Sequence, residues 1–506
     1  MSLNGLSPEI WVLIFQSLLN REDLANVCRV SRAFDALAMP VLYRSVIFRT
    51  PSVINRRRTF SSDIREQADV LTFAPLDRLL DERNERLRLF VREINFEDGS
   101  WPDQAPEDLI NSLLKKLPNL ESIYTDLEIP TIESFVQVML SRKRVPRLHL
   151  RGEQGFTPVI TKMPFVTEIC THIDATASRH GGEESRNQKL ALHELFKAYP
   201  NLESLSLKIN YLRGGCLIGG IPTTRISPLT LSENETFPPL RSLTISGYRF
   251  KESEASVWKK KFPWDQLQSL SVGPQNALLF PDIATGFVHN LKKFELKSYG
   301  RVVERVGESM DALDAFLSSF CSLEILITKG FVPSVDAVAH HPDLKILCLH
   351  EIETPGKERK NLEAKEIEYL DRNCPKLTDL EIDINPEGAW PNNTINALSK
   401  GFRNLRRLSI HVGLGIAKLE DLEDFEMKDA FIKSFQSVLT ESTAQDFAKS
   451  LFDRRGPSGI PITPGLKVVA PGHLKLMLRW KVPMSRASKG VKFMLLAGKE
   501  YILHRQ

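Results

Sequence analysis

Side chains able to do covalent or ligand chemistry are few in this chain of 506 residues, and none falls in a catalytic spacing. The six cysteines, Cys28, Cys170, Cys216, Cys321, Cys348 and Cys374, form no Cys-x-x-Cys pair, so no zinc spacing arises. Cys28, Cys321 and Cys374 sit among apolar helical positions and read as reduced core residues. His340 and His341 are adjacent ahead of Pro342, so their rings point apart. Neither His-Glu-x-x-His nor Gly-x-Ser-x-Gly occurs. The glycine pairs at 181–182, 214–215 and 219–220 lack the Lys-Ser/Thr of a phosphate-cradling loop. The expectation is a non-catalytic chain that carries no cofactor and no metal. What remains is the chemistry of recognition. Asp379, Glu381 and Asp383 stand at alternate positions, and so do charged groups around Arg147, Arg151 and Arg407. Alternation puts such side chains on one face of a strand.

The elements that would present them come from a recurring phrase, Leu-x-x-Leu-x-Leu. It reads Pro-Asn-Leu-Glu-Ser-Leu-Ser-Leu from Pro200 to Leu207 and returns around Leu240, Leu344 and Leu377. Twelve copies start at Val91, Leu120, Val145, Val166, Leu202, Leu240, Leu267, Leu291, Leu323, Leu344, Leu377 and Leu405, spaced by 21 to 38 residues. Repeats of about 20–29 residues with this phrase are leucine-rich repeats, each a strand with a returning helix or turn. Each unit buries its apolar face only by stacking on the next. Returning helices are read at Leu109–Leu117 and Ile132–Leu140, and later around Leu195, Phe316 and Ile367. The fold class is therefore α/β, with a leucine-rich-repeat solenoid (a horseshoe) of about twelve irregular units over 89–415. Glycine-rich loops are expected at 178–187 and 213–228.

Composition is that of a globular protein, 42% apolar and 26% charged, with a net charge of +4 that implies no global nucleic-acid field. The charge is uneven: residues 454–506 carry +10, which leaves −6 for the rest. That basic tail has several open uses: an acidic partner, nucleic acid, the acidic body of the chain itself, or none. No uncharged run is long enough to span a bilayer, and no basic region, apolar core and cleavage site open the chain. A reducing compartment, cytoplasmic or nuclear, is expected, with no membrane partner. Residues 51–88 read as a connector and first helix, and 416–453 as helices capping the last repeat.

The first fifty residues are helical. Ser7-Pro8-Glu9 suits a helix start, with Ser as N-cap, Pro in the first turn and Glu at the positive end of the dipole. Ile10, Leu13, Ile14, Leu18 and Leu19 follow at helical spacing, while Trp11, Val12 and Phe15 lie off the Ile10–Ile14 face. A polar break at Asn20–Asp23 precedes Leu24, Val27, Cys28 and Val30, with Phe34, Leu37, Ala38, Leu42 and Tyr43 beyond.

This order resembles the F-box. Leu6, Glu9, Ile10, Ile14, Phe15, Leu18, Asp23, Leu24, Val27, Cys28, Arg29 and Leu42 take the places of that pattern, with Pro at position 8 rather than 7. Followed by irregular repeats, it resembles the fungal-type F-box/leucine-rich-repeat family. The resemblance implies a three-helix module over 1–50 that docks on the small adaptor subunit of an SCF ligase, and through it a cullin. Leu6, Pro8, Ile10, Ile14, Phe15, Leu18 and Leu24 would make that contact. It further implies the substrate-recognition subunit of a ubiquitin ligase, with an unknown protein substrate held on the concave face. Two alternatives stay open: the helices only cap the solenoid, or the repeats form an interaction scaffold outside any ligase.

Period-two alternation defines the expected concave face. It passes from Glu93 and Glu97 through Arg147 and Arg151 to Ser204, Ser206, Ser242, Thr244, Ser269 and Ser271. Lys293, Glu295 and Lys297 follow, then an apolar group, Ile325, Ile327, Ile346 and Cys348, and last Asp379, Glu381, Asp383 and Arg407. The apolar group reads as a partner patch, unless another segment covers it or the register slips by one. The carboxylates suit a basic peptide or merely solubilise the rim, and the arginines leave recognition of a phosphate open.

Overall fold

A computed structural model describes residues 6–18, 20–49, 77–97, 107–126, 133–152, 162–174, 189–190, 192–210, 225–226, 229–248, 250, 252–273, 279–297, 306–351, 359–385, 391–412, 475–488 and 491–503. The connector at 51–76, the loops at 178–187 and 213–220, and the expected caps at 416–453 lie outside the described residues. The chain divides into two units, Met1–Leu240 and Arg241–Gln506.

The first unit opens with three helices, α1 (Pro8–Ser17), α2 (Arg21–Val30) and α3 (Arg32–Leu42). Ser7 takes the N-cap position of α1 but makes no capping bond. A backbone hydrogen bond to the Glu9 carboxylate first, then one from the Ser7 hydroxyl, holds that carboxyl below its ordinary value. Asn20 and Ser31 do cap, accepting from the amides of Glu22 and Phe34. Six strands of the main sheet follow, β1 (Ser45–Arg49), β2 (Glu93–Glu97), β3 (Ser122–Asp126), β4 (Arg147–Gly152), β5 (Val166–Asp174) and β6 (Ser204–Asn210), while Lys189–Leu190 and Arg225–Ile226 pair separately as a short two-stranded sheet. The six pair in parallel in chain order. Helices α4 (Glu107–Lys116), α5 (Glu133–Leu140) and α6 (Leu192–Ala198) lie between them in sequence. Strand β1 is additional to the repeats read from the sequence. Its Val46 is buried and pairs with Ile94, so the helical module runs directly into the sheet.

The second unit continues the pattern with β7 (Ser242–Ser246), β8 (Ser269–Val272), β9 (Lys293–Lys297), β10 (Ile325–Lys329), β11 (Ile346–His350), β12 (Asp379–Ile384) and β13 (Arg407–Val412). Helices α7 (Glu252–Lys261), α8 (Leu279–Ala284), α9 (Val306–Ser318), α10 (Val335–Ala339), α11 (Ala364–Asn373) and α12 (Asn392–Lys400) connect them. Leu243, Leu270, Phe294, Leu326, Leu347, Leu380 and Leu408 form one cross-strand rung, all essentially inaccessible. Each such side chain contributes about 1.5–3 kcal/mol by leaving water. The basic tail continues this sheet. Strand β14 (Lys475–Ser488) runs parallel to β13, and β15 (Val491–Leu503) returns antiparallel to it.

Two devices tie one repeat to the next. The amide after the first apolar residue donates to the matching carbonyl of the preceding repeat: Gln268 to Arg241, Lys292 to Gln268, Glu324 to Lys292, Lys345 to Glu324, Thr378 to Lys345 and Arg406 to Thr378. At β4 that position is Pro146, which has no N–H, and Arg147 donates to Glu121 instead. The asparagine before the first Leu supplies the second link. Asn119, Asn201, Asn290 and Asn404 each donate through Nδ2 to a carbonyl of the repeat before, at 2.8–2.9 Å. Where Asp343 and Lys376 hold this place, they pair with each other. Between β4 and β5 the register shifts at Leu148/His149, and Thr171 takes an inward position usually held by Leu. Near β8 the backbones approach closely: a Cβ on Gly273 would meet Ser246 Oγ at 2.5 Å, so only glycine fits.

His340 is exposed and His341 fully buried, its ring 5.2 Å from that of Phe320. Burial first, then the charge of His340, lowers the His341 pKa to about 4. The unfolded chain therefore takes up this proton near pH ~6.5, before the folded one does. Stability is complete above that pH and falls as the pH drops to about 4, by about 3 kcal/mol for this residue. The urea midpoint of a His341→Leu chain is expected to fall less over this range than that of the wild type. Equal slopes would contradict this account.

Candidate functional site

Helix α1 divides its apolar residues between two faces. Trp11 and Phe15 turn inward, where their rings meet Phe34 at 4.9 and 5.7 Å. Phe15, Leu24 and Ala38 form the buried centre of the module, with Leu18, Val27, Cys28, Leu37, Val41 and Leu42 packed against them. Leu6, Ile10, Leu13 and Ile14 stay in water at 41, 43, 64 and 38% exposure. Helical spacing places Ile10, Leu13 and Ile14 on one side of α1, and Leu6 stands just ahead of its N-cap. Val30, at the end of α2, is also exposed. A contiguous apolar stripe of this kind on a small module marks a partner surface. Arg21 braces the module from below, donating to the carbonyls of Ser45 and Leu42 at 2.5 and 2.9 Å.

In each unit the strand residues that alternate with the buried rungs form an open face. In the first unit, Tyr124 and His149 stack at 4.3 Å, and the Arg151 guanidinium lies over the Tyr124 ring at 4.7 Å. His149 Nδ1 pairs with Glu168 at 2.9 Å, and that contact holds the Glu168 carboxyl below its ordinary value. Arg147 and Arg151 are exposed.

In the second unit the open face carries two aligned rows. One runs Lys293, Ile325, Ile346, Asp379 and Arg407, and the next Glu295, Ile327, Cys348, Glu381 and Ser409. Beyond them lies a buried polar cluster. Asp383 accepts from the Glu351 amide at 2.6 Å, bonds His350 Nδ1 at 2.7 Å and pairs with Arg359 at 3.3 Å. Glu381 bonds His411 Nε2 at 2.7 Å and Lys329 Nζ at 3.2 Å, and the rings of His350 and His411 stack at 3.8 Å. Burial works to raise the Glu381 pKa, but His411 and Lys329 outweigh it and hold the carboxyl ionised well below its ordinary range. Burial and the Glu381 charge push the Cys348 thiol far up, so it is no thiolate nucleophile. Among the described residues, no group of three or more His, Cys, Asp or Glu can hold a metal ion. No helix of the described residues is long and apolar enough to cross a membrane.

Residues 8–49 match the family model described as F-box-like. The N-terminal module is an F-box-like domain. No curated protein matches the chain. Among solved structures, the crystal structure of the Rad7 and Elc1 complex in yeast is similar over 80% of this chain and 89% of that chain, at 14% identity and a TM-score of 0.31.

The expected contacts of the F-box-like domain separate cleanly. Leu6, Pro8, Ile10 and Ile14 are exposed, while Phe15 and Leu24 are interior and Leu18 packs against that interior. The last three position α1 and are not a surface. Leu13, the most exposed apolar residue of α1, belongs with the first group. On the open face, Ile325, Ile327 and Ile346 are half-buried, but Cys348 is buried under its neighbours and leaves the patch. Asp383 is likewise buried, because Arg359 neutralises it and His350 hydrogen-bonds it inside the fold. Asp379 and Glu381 are covered by Arg407 and Lys329, so no acidic rim is presented. Cys321, expected in the core, is exposed.

Proposed function

We propose that this chain is the substrate-recognition subunit of a cullin-type SCF ubiquitin ligase and does no chemistry itself. The F-box-like domain would dock on the small adaptor subunit, and through it on the cullin, while the open face of the repeats holds a protein substrate. The observation that carries the reading is the F-box-like match at 8–49, together with an exposed stripe, Ile10, Leu13 and Ile14, on its first helix and the exposed Leu6 just ahead of it. A helix serving only as a cap on the repeats would bury such a stripe. The mechanism is proximity: both ends are held at once, which raises the effective concentration of substrate at the ubiquitin carrier. Work of this kind belongs in the cytoplasm or nucleus.

The test is retention on an immobilised cullin. The full chain is expected on the resin only when the adaptor is added, and an Ile10→Asp, Ile14→Asp chain is expected in the flow-through. Retention without adaptor, or retention of both chains alike, would overturn the reading. The chain would then stand as an interaction scaffold outside any ligase.

A further inference from the structure

On the open face of the second unit, opposite charges sit at different depths. The carboxylates lie low: Glu295, Glu381 and Asp379 keep only 11, 19 and 18% of their side-chain surface, and Asp383 2%. The cations above them stand out, with Lys293 at 41%, Lys297 at 40% and Arg407 at 55%. Each cation spends part of its donor capacity on a carboxylate below. Lys293 and Lys297 share Glu295, and Arg407 meets Asp379 through Nε. The remaining ammonium protons and the terminal guanidinium nitrogens are left toward solvent. Between these cations lie the half-buried Ile325, Ile327 and Ile346, with Ile325 and Ile346 directly paired across β10 and β11.

We propose that this face docks an acidic peptide segment of a partner protein, with a large apolar side chain on the isoleucines and flanking carboxylates on Lys293 and Lys297 at one end and Arg407 at the other. The proposal rests on the substrate-receptor reading and names the chemistry its substrate site accepts. Lys293 and Arg407 occupy the same row four strands apart, about 19 Å at the spacing of neighbouring strands. An extended segment of about six residues covers that distance. A basic peptide finds no open carboxylate here, since each already carries a cation. A single-stranded nucleic acid meets the same cations, but the two rows offer no aromatic ring on which bases stack.

The experiment probes the full chain with an array of short peptides in which flanking charge and central side chain vary independently. A single-stranded oligonucleotide serves as competitor. Binding is expected to be strongest for acidic flanks around a central Leu or Ile, and to weaken with salt. It is expected to fall about tenfold or more in a Lys293→Gln, Arg407→Gln chain, whose Lys297 still holds Glu295. An Ile346→Ser chain of unchanged melting temperature is expected to lose the preference for the apolar centre. Preference for basic flanks, binding indifferent to these substitutions, no binding, or displacement by the oligonucleotide would each overturn the proposal. Adaptor binding, measured on the same chains, separates the two claims. Peptide binding by a chain that ignores the adaptor would keep this face and remove the ligase, and the reverse would keep the ligase and remove this face.

Discussion

Replacing Asp383 with alanine is expected to lower the unfolding free energy by about 3–5 kcal/mol, the usual cost of breaking a buried ion pair from one side. The carboxylate is the hub of the polar cluster at the end of β11 and β12. It takes a hydrogen bond from the Glu351 amide, another from His350, and the charge of Arg359. Arg359 is itself only 3% exposed, and its other bonds go to neutral acceptors, Asn385 Oδ1 and the His411 carbonyl. Alanine would therefore leave a guanidinium buried without an anion and a backbone amide without an acceptor. Asp383→Asn, which keeps one acceptor but loses the charge, is expected to fall between. Urea unfolding of the three chains checks the order. A loss below about 1 kcal/mol for alanine would place the cluster in water rather than in the fold.

The second large effect separates two residues two positions apart on α1. Phe15 is 3% exposed and Leu13 64% exposed. Phe15→Ala is expected to cost about 3–5 kcal/mol, more than a module with three buried apolar residues can absorb. Its helices then unfold, and adaptor binding disappears with them. Leu13→Asp is expected to change stability by less than about 0.5 kcal/mol. It nevertheless should weaken adaptor binding about 30-fold or more, because a charge replaces an apolar anchor at the centre of the stripe. Helical circular dichroism alongside adaptor affinity distinguishes the two. If Leu13→Asp unfolded the module, or Phe15→Ala kept adaptor affinity, the assignment of the faces of α1 would be reversed.

The fold was legible where one short pattern repeats. Leu-x-x-Leu-x-Leu has strand periodicity, and its inward positions, such as Leu243 and Leu270, are the buried ones. The strand Ser45–Arg49 went unread because it lacks the leading Leu and lies far from the next copy. The asparagines before the repeats were visible as letters, but their role is a contact with the previous repeat, some 25 to 37 residues away. The helical period showed that α1 is apolar on two sides. Which side faces water depends on Phe34 and Leu24, which reach it from other helices. Alternation likewise placed Asp379, Glu381 and Asp383 on one face but could not give their depth. Depth is set by Arg407, Lys329 and Arg359, which close over them from elsewhere in the chain. Charge read along a sequence thus counted these carboxylates as a rim, while the folded chain uses them as internal counter-ions.

In the proposed function, the stripe on α1 holds the adaptor of a cullin-type ligase. Calorimetric titration of the purified adaptor into the 506-residue chain is the decisive measurement of that docking. Saturable binding of one adaptor per chain is expected, abolished by Ile10→Asp, Ile14→Asp in a protein that melts like the wild type. A folded wild-type chain that takes up no adaptor, or a double variant that binds as well as the wild type, would contradict it.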